Sequence, residues 1–155
     1  MAKIPKSLRL TDDEIDRLMV TETRLRIATV GPDTGINLTP MTFGWAGRRV
    51  YIFGRGQKIA DLRRSSTATV LIDVGEEWRE LKGIMMRGKA FVLDTASDEE
   101  LDEHLAEARR NLGVKHGLSK GGVQISYGVT ASGRSRRWIV FQPETIVSWN
   151  NKKLH

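Results

Sequence analysis

Gly54-Arg55-Gly56-Gln57-Lys58 brings two residues without Cβ and two cations into a single turn of chain. A cluster of this kind suits one task, holding an anion. Gly54 and Gly56 let the backbone turn sharply and approach a ligand closely. The next residues, Gln57 to Arg64, start a helix, whose first N–H groups lack intrahelical partners and whose positive dipole end favours a phosphate. Upstream, Val50, Tyr51, Ile52 and Phe53 are β-branched or aromatic and favour a half-buried strand. The pattern is neither a P-loop nor a dinucleotide fingerprint, because GRGQK lacks the lysine–hydroxyl pair of GxxxxGK[ST] and no GxGxxG is present. On the helix Lys58 and Leu62 share a face while Arg63 and Arg64 lie further round, so the cations cannot all serve one ligand.

No conventional catalytic set accompanies this turn. His104, His116 and His155 are dispersed over an acidic helix, a loop and the terminus. They form neither a metal triad nor a base–nucleophile pair and read as solvated side chains. Ser65, Ser66, Thr67 and Thr69 lack a GxSxG elbow and read as helix-end and strand residues. Trp45, Trp78, Trp138 and Trp149 could each cover a flat ring system, but core or dimer packing explains them more simply. Trp78 stands apart because it lies in a polar connection. The absence of a catalytic side-chain set leaves room for chemistry that a bound cofactor carries, with the protein supplying position and electrostatics.

Charge is unevenly spread along the chain. Residues 48–64 hold six Lys or Arg against Asp61 alone, whereas residues 94–107 hold seven acids and no Lys or Arg. The basic stretch points to an anionic partner: a phosphorylated cofactor, nucleic acid or an acidic substrate. The acidic stretch reads as a solvated helix face rather than a metal site. With 155 residues, 39% of them apolar, one domain spanning 1–155 is expected. No cysteine is present, no signal-peptide pattern follows MAKIPKSLR, and no run approaches membrane-spanning length, so a soluble cytoplasmic protein is expected.

The elements that must position the turn follow from periodicity. Thr11 and Glu14 form a capping box for an N-terminal helix over about 11–19, with Ile15, Leu18 and Met19 on one face. Leu25 to Val30 reads as a buried strand, Pro32 to Gly35 as a turn, and Ile36 to Trp45 as a second strand with Met41, Phe43 and Trp45 on one side. Ala68 to Val74 should lie centrally in a sheet, and Leu81 to Leu93 is a long strand with bend positions at Gly83 and Gly88. Ser97 with Glu100 caps a helix over about 97–111 that Gly113 can end. A glycine-rich basic loop covers about 115–137. Trp138 to Phe141 and Glu144 to Trp149 close the chain as two strands joined at Pro143. Barrel strands over about 25–93 and 138–149, with few crossover helices, predict a mainly β fold, an antiparallel barrel with helical additions.

The stretch LRIATVGPDTGINLTPMTFGWAGRRVYIFGRGQKIADLRRSSTATVLIDV, followed by MMRGKAFVL, resembles the pyridoxamine 5′-phosphate oxidase-like split β-barrel proteins. It is most similar to their actinobacterial branch of flavin- and deazaflavin-dependent oxidoreductases. The resemblance runs from Leu25 to about Leu93. It implies an FMN-binding-type split barrel, homodimeric, with cofactor sites at the interface between copies. Cofactor phosphate would meet Arg55, Gln57 and Lys58 beside Gly54, and the ring system would lie along Thr39, Pro40, Met41, Thr42 and Phe53. Trp78 and Arg79 would reach across the dimer. Departures from the family pattern, Ser65-Ser66 for Asp-Pro and Asp61 for Asn, touch helix packing more than ligand contact. The expected activity is hydride transfer to an unsaturated small molecule from coenzyme F-420, preferred over FMN because Arg63, Arg64 and the basic loop could meet its acidic tail. A non-catalytic carrier of the same cofactors is the alternative. A nucleic-acid binder, suggested by the pI of 9.9, ranks below both.

Overall fold

Period-two alternation governs the sheet. In β1 (Arg24–Val30) Leu25, Ile27 and Thr29 are buried while Arg24 and Arg26 face solvent. The computed structural model describes residues 3–117, 128–129 and 135–154. Strands β2 (Ile36–Thr42), β3 (Gly44–Ala46), β4 (Arg49–Gly54), β5 (Thr67–Val74), β6 (Lys82–Leu93), β7 (Gly128–Val129) and β8 (Ser135–Asn150) follow. Every pairing is antiparallel, in the order β2-β1-β5-β6-β8-β4-β3, with β7 beside β8. The sheet curls into a half-barrel, because Met41 on β2 returns to the side of Gly54 on β4. Inside lie Leu25, Ile27, Ile52, Val70, Ile84, Met86 and Phe141.

Helices cover what the curl leaves open. α1 (Asp12–Thr21) is capped by Thr11, whose side chain accepts from the Glu14 N–H, and buries Ile15, Leu18 and Met19. A second cluster lies on the outer face of β4 and β8, where Tyr51, Phe53, Trp138 and Val140 pack against Leu105, Ala108 and Leu112 of α4 (Leu105–Lys115).

Three expectations are corrected. The helix foreseen over 97–111 is two helices, α3 (Ala96–Leu101) and α4, and its cap is Thr95 with Asp98 rather than Ser97 with Glu100. The break falls at Asp102, whose carboxylate accepts hydrogen bonds from the hydroxyl of the buried Tyr51 at 2.7 Å and from the N–H of His104 at 3.0 Å. A buried phenol needs a partner, and supplying it interrupts the helix. Gly113 is buried within α4, which ends at Lys115 ahead of Gly117, a residue with φ of 65°. The two closing strands are one 16-residue strand, β8. Pro143 is absorbed by a bulge opposite Arg87 and Gly88, where a Cβ on Gly88 would strike the Gln142 carbonyl. Of the basic loop foreseen over 115–137, residues 118–127 and 130–134 lie outside the described residues.

The short helix that carries the cationic turn, α2 (Gln57–Arg64), is tied down by a charge. Asp61 is fully buried. Its carboxylate accepts from Thr29 Oγ1 at 2.8 Å, Asn37 Nδ2 at 2.7 Å, Gln57 Nε2 at 2.8 Å and Arg64 Nη2 at 3.2 Å. Burial by itself pushes this carboxyl up; the four hydrogen bonds outweigh it and hold the pKa at about 2. Because the folded pKa lies below the ordinary 3.8, the stabilisation is complete above that value and is lost as pH falls toward 2. Asp61→Ala strands the buried Thr29 hydroxyl, the half-buried Asn37 amide and the Arg64 charge, and is expected to cost about 3 kcal/mol in urea unfolding at pH 7. The loss relative to wild type should shrink as the pH is taken from 4 to 2.

Candidate cofactor-binding site

β4 delivers its last residues directly to the N terminus of α2. Gly56, the N-cap, has φ 83° and ψ −149°, a conformation glycine alone adopts easily, and no side chain caps the helix. A Cβ on Gly56 would meet nothing within 4 Å, so the approach to the first-turn N–H groups is open. Lys58 bends back over this turn, donating to the Arg55 carbonyl at 3.0 Å. Burial, then the charges of Arg55 and Arg136, depress the Lys58 pKa. Three cations therefore share the mouth, with the field of each raising the cost of charging the others. An anion placed there would relieve that repulsion.

Period-two geometry sorts the residues expected to line the ring. On β2, Asn37, Thr39 and Met41 alternate with Ile36, Leu38, Pro40 and Thr42, and the second set is exposed. The inward set runs along α2: Asn37 bonds Asp61, and Met41 reaches Gly54, where an added Cβ would lie 3.6 Å from its Cε and 3.3 Å from Lys58 Cδ. Thr39 lies between them on the same face. Thus Thr39, Met41, Gly54, Arg55, Gln57 and Lys58 come together, while Pro40 and Thr42 point to the outer face. Gln57 is committed to Asp61 through its amide.

Phe53 is not in this group. Its neighbour Gly54 faces Met41 and Ile139, so Phe53 faces outward, where its ring lies 4.9 Å from that of Trp138 in the cluster beneath α4. The alternation of β4 carried this signal, since adjacent residues cannot share a face. Arg63 is paired with Asp94, and Arg64 donates to the Val30 carbonyl at 2.8 Å and to Asp61, so both cations expected to meet an acidic tail have structural partners. Trp78, 63% exposed, sits in a 3-10 turn (Trp78–Glu80) tied to Asn151 through its carbonyl. That turn adjoins the Lys82 end of the 12-residue β6, whereas Phe53 pairs with Trp138 and Trp138 with Leu93 at the opposite end. Within one chain the ladder separates the two by roughly 35 Å of strand. Sequence reasoning assigned Asp61 to helix packing, as the structure has it, but did not foresee its full burial, and it missed Arg136. An aspartate three residues ahead of an arginine in an otherwise apolar-and-basic helix was the available signal for the first; Arg136 offered none.

Behind β2, the Lys115 amine lies 3.4 Å from the centroid of the Phe43 ring and donates to the Phe43 carbonyl at 3.1 Å. Burial brings its pKa down to about 7, partly offset by Glu22. A lysine with a depressed folded pKa holds fewer protons folded than unfolded between about 7 and 10.5, so its contribution to stability rises with pH across that window. In urea titrations wild type should gain stability relative to Lys115→Met from pH 7 to pH 9.5, and the Lys115 side-chain ¹⁵N resonance should titrate near 7. A midpoint above 10 would contradict this.

Among the described residues no group of His, Cys, Asp or Glu is placed to hold a metal ion, and no helix is long and apolar enough to cross a membrane. No protein-family model and no curated protein matches the chain significantly. Solved structures do. A conserved hypothetical protein of Mycobacterium tuberculosis superposes with a TM-score of 0.78 at 18% identity, over 99% of this chain and 92% of that one. An FAD-binding protein of Mycobacterium smegmatis matches with a TM-score of 0.59 at 18% identity, over 92% and 98% of the two chains. An F-420 reductase matches with a TM-score of 0.60 at 15% identity, over 85% and 94%. At such identities the likeness establishes the fold, the split barrel of the pyridoxamine 5′-phosphate oxidase-like proteins.

Proposed function

We propose that this chain is an oxidoreductase that binds a phosphate-bearing flavin-type cofactor, coenzyme F-420 in preference to FMN, at the N terminus of α2. The observation that carries the reading is the uncapped, Cβ-free helix start at Gly56 with Arg55, Lys58 and Arg136 around it. The FAD-binding protein and the F-420 reductase that share the fold support the cofactor class. The residues present fit such a group: the helix N–H groups and Lys58 would take the phosphate, and Thr39 and Met41 would flank what extends from it. When bound, the cofactor would supply the hydride for an unsaturated small molecule. The protein's own work is to neutralise the phosphate, hold the cofactor against β2 and exclude water. Three cations exceed what one phosphate needs, which favours a cofactor with further acidic groups; the engagement of Arg63 and Arg64 narrows that support to Arg55 and Arg136.

The same reading includes a homodimer. Ile36 and Leu38 are 64% and 62% exposed on the outer face of β2, and Leu71, Met85 and Val147 form an apolar row across β5, β6 and β8 that Arg26 of β1 separates from Pro40. A second copy on this face would bury it and could bring Trp78 to a site that its own chain cannot reach.

Lys58→Ala should leave the fold intact and weaken FMN and F-420 binding about 10- to 100-fold, from loss of a charge-assisted contact. Because Lys58 has a lowered pKa, affinity should begin to fall at a lower pH than an ordinary lysine would give. Fluorescence titration of each cofactor at several pH values measures both, and an unchanged dissociation constant in folded Lys58→Ala would place the phosphate elsewhere. Turnover against a panel of enones and quinones separates an enzyme from a carrier. Sedimentation at micromolar concentration should give a dimer, and Leu38→Glu should shift it toward monomer.

A further inference from the structure

At the end of β6 and β8 away from the cationic mouth, α1 and the strand ends bound a cleft of about 360 Å³. Glu14, Arg17, Leu18 and Thr21 recur at helical spacing and turn one stripe of α1 toward it, with Glu22 following at the helix end. On the opposite wall the inward face of the sheet changes character. Alternation puts Lys82 on the side of Ile84 and Met86, and Asn150, its partner across the ladder, on the side of the buried Ser148. A core face that ends in a half-buried lysine calls for a reason, because ammonium groups are seldom drawn inward without a partner. Leu10, anchored by its N–H to Ser148 Oγ at 3.0 Å, lines the cleft together with Leu18.

Some of the charges here are already matched. Glu14 accepts from Lys153 Nζ at 2.8 Å and from the Thr11 N–H at 3.1 Å, and the Arg17 charge acts on it as well. Two others are not. Among the described residues the Lys82 ammonium forms no hydrogen bond or ion pair, and the Glu22 carboxylate, though its field reaches Lys115, forms neither. They line one cleft with opposite signs and do not pair with each other. Asn150 accepts the Lys152 N–H on its Oδ1 at 3.0 Å, which leaves its amide N–H groups without a protein partner among the described residues.

We propose that this cleft binds a small zwitterion, an α-amino acid with an apolar side chain. Its carboxylate meets the Lys82 ammonium and the Asn150 amide, its ammonium meets Glu22 and the Thr21 hydroxyl oxygen, and its side chain lies on Leu10 and Leu18. The lining selects the class. A simple anion would leave Glu22 unanswered, a simple cation would leave Lys82 so, and an uncharged apolar molecule would strand both. The volume lies at the lower end of the range for small-molecule sites, enough for one amino acid and too little for a dinucleotide. Nothing in the assignment rests on the cofactor reading, since Gly54 and Leu93 mark the mouth at the other end of the same strands.

The test is isothermal titration calorimetry of the full chain at neutral pH with L-leucine, isocaproate and isoamylamine. The last two keep the leucine side chain and lose one charged group each. Leucine should bind saturably, and each single-charge analogue about tenfold more weakly or worse. Glu22→Gln should erase leucine's advantage over isocaproate, and Lys82→Met its advantage over isoamylamine, with urea unfolding showing that both variants fold. Should Lys82→Met not fold, Lys82→Gln takes its place, and the comparison of the three ligands on wild type decides without either. Leucine that fails to bind at millimolar concentration, an analogue that binds as tightly as leucine, or a preference that neither variant changes overturns the proposal.

Discussion

A single buried negative charge, the Asp61 carboxylate, fixes where the cationic turn sits. α2 is two turns long and would be marginal by itself, since a helix of that length gains too few hydrogen bonds to offset its nucleation. Apolar contacts from Ile59 and Leu62 hold it to the barrel but do not set its rotation. Asp61 does, because its oxygens are shared among β1, β2, the first turn of the helix and the last. A carboxylate stripped of water tolerates little displacement from its donors. The helix N terminus is thereby aimed, and Gly54, Lys58 and Met41 meet at its mouth as a consequence.

The site is accordingly a balance of opposite charges sorted by depth. Inside, a lone carboxylate is neutralised by dipoles and by Arg64. At the rim, Arg55, Lys58 and Arg136 repel one another with no acid among the causes of Lys58's lowered pKa. The interior is thus electrostatically finished while the rim is not. Such an asymmetry suits a protein that keeps a rigid floor and leaves its mouth to be completed by a ligand.

How much of this was legible depended on range. Local signals carried well: the Thr11 cap, the Gly-rich start of α2 and the strand alternation each involve residues a few positions apart. Even the outward placement of Phe53 was available from the parity of β4. What sequence could not yield were polar contacts between distant residues. Asp61 meets Asn37 and Thr29 from 24 and 32 positions away, and Asp102 meets Tyr51 from 51 positions away. In both cases a buried hydrogen-bonding demand overrode a local preference, first by placing a charge inside and then by breaking a helix whose own periodicity ran on. The bulge at Pro143 belongs with these, because a proline reads as a strand end until the partner strand is known to skip a residue there.

The place of β8 in the sheet has a consequence for how the chain comes into being. The last of the described strands is not an edge but the one that lies between β6 and β4. Until it arrives, the nascent chain holds two unjoined pieces, a four-stranded sheet β2-β1-β5-β6 and the hairpin β3-β4, each with a bare strand edge facing the other. Sealing them demands pairing over some ninety residues of intervening chain, from β4 at Val50 to β8 at Phe141, a slow and non-local step. Completion of this sheet is therefore a single closing event rather than a gradual accretion. Loss of β8 would leave open two aggregation-prone edges, on β6 and on β4.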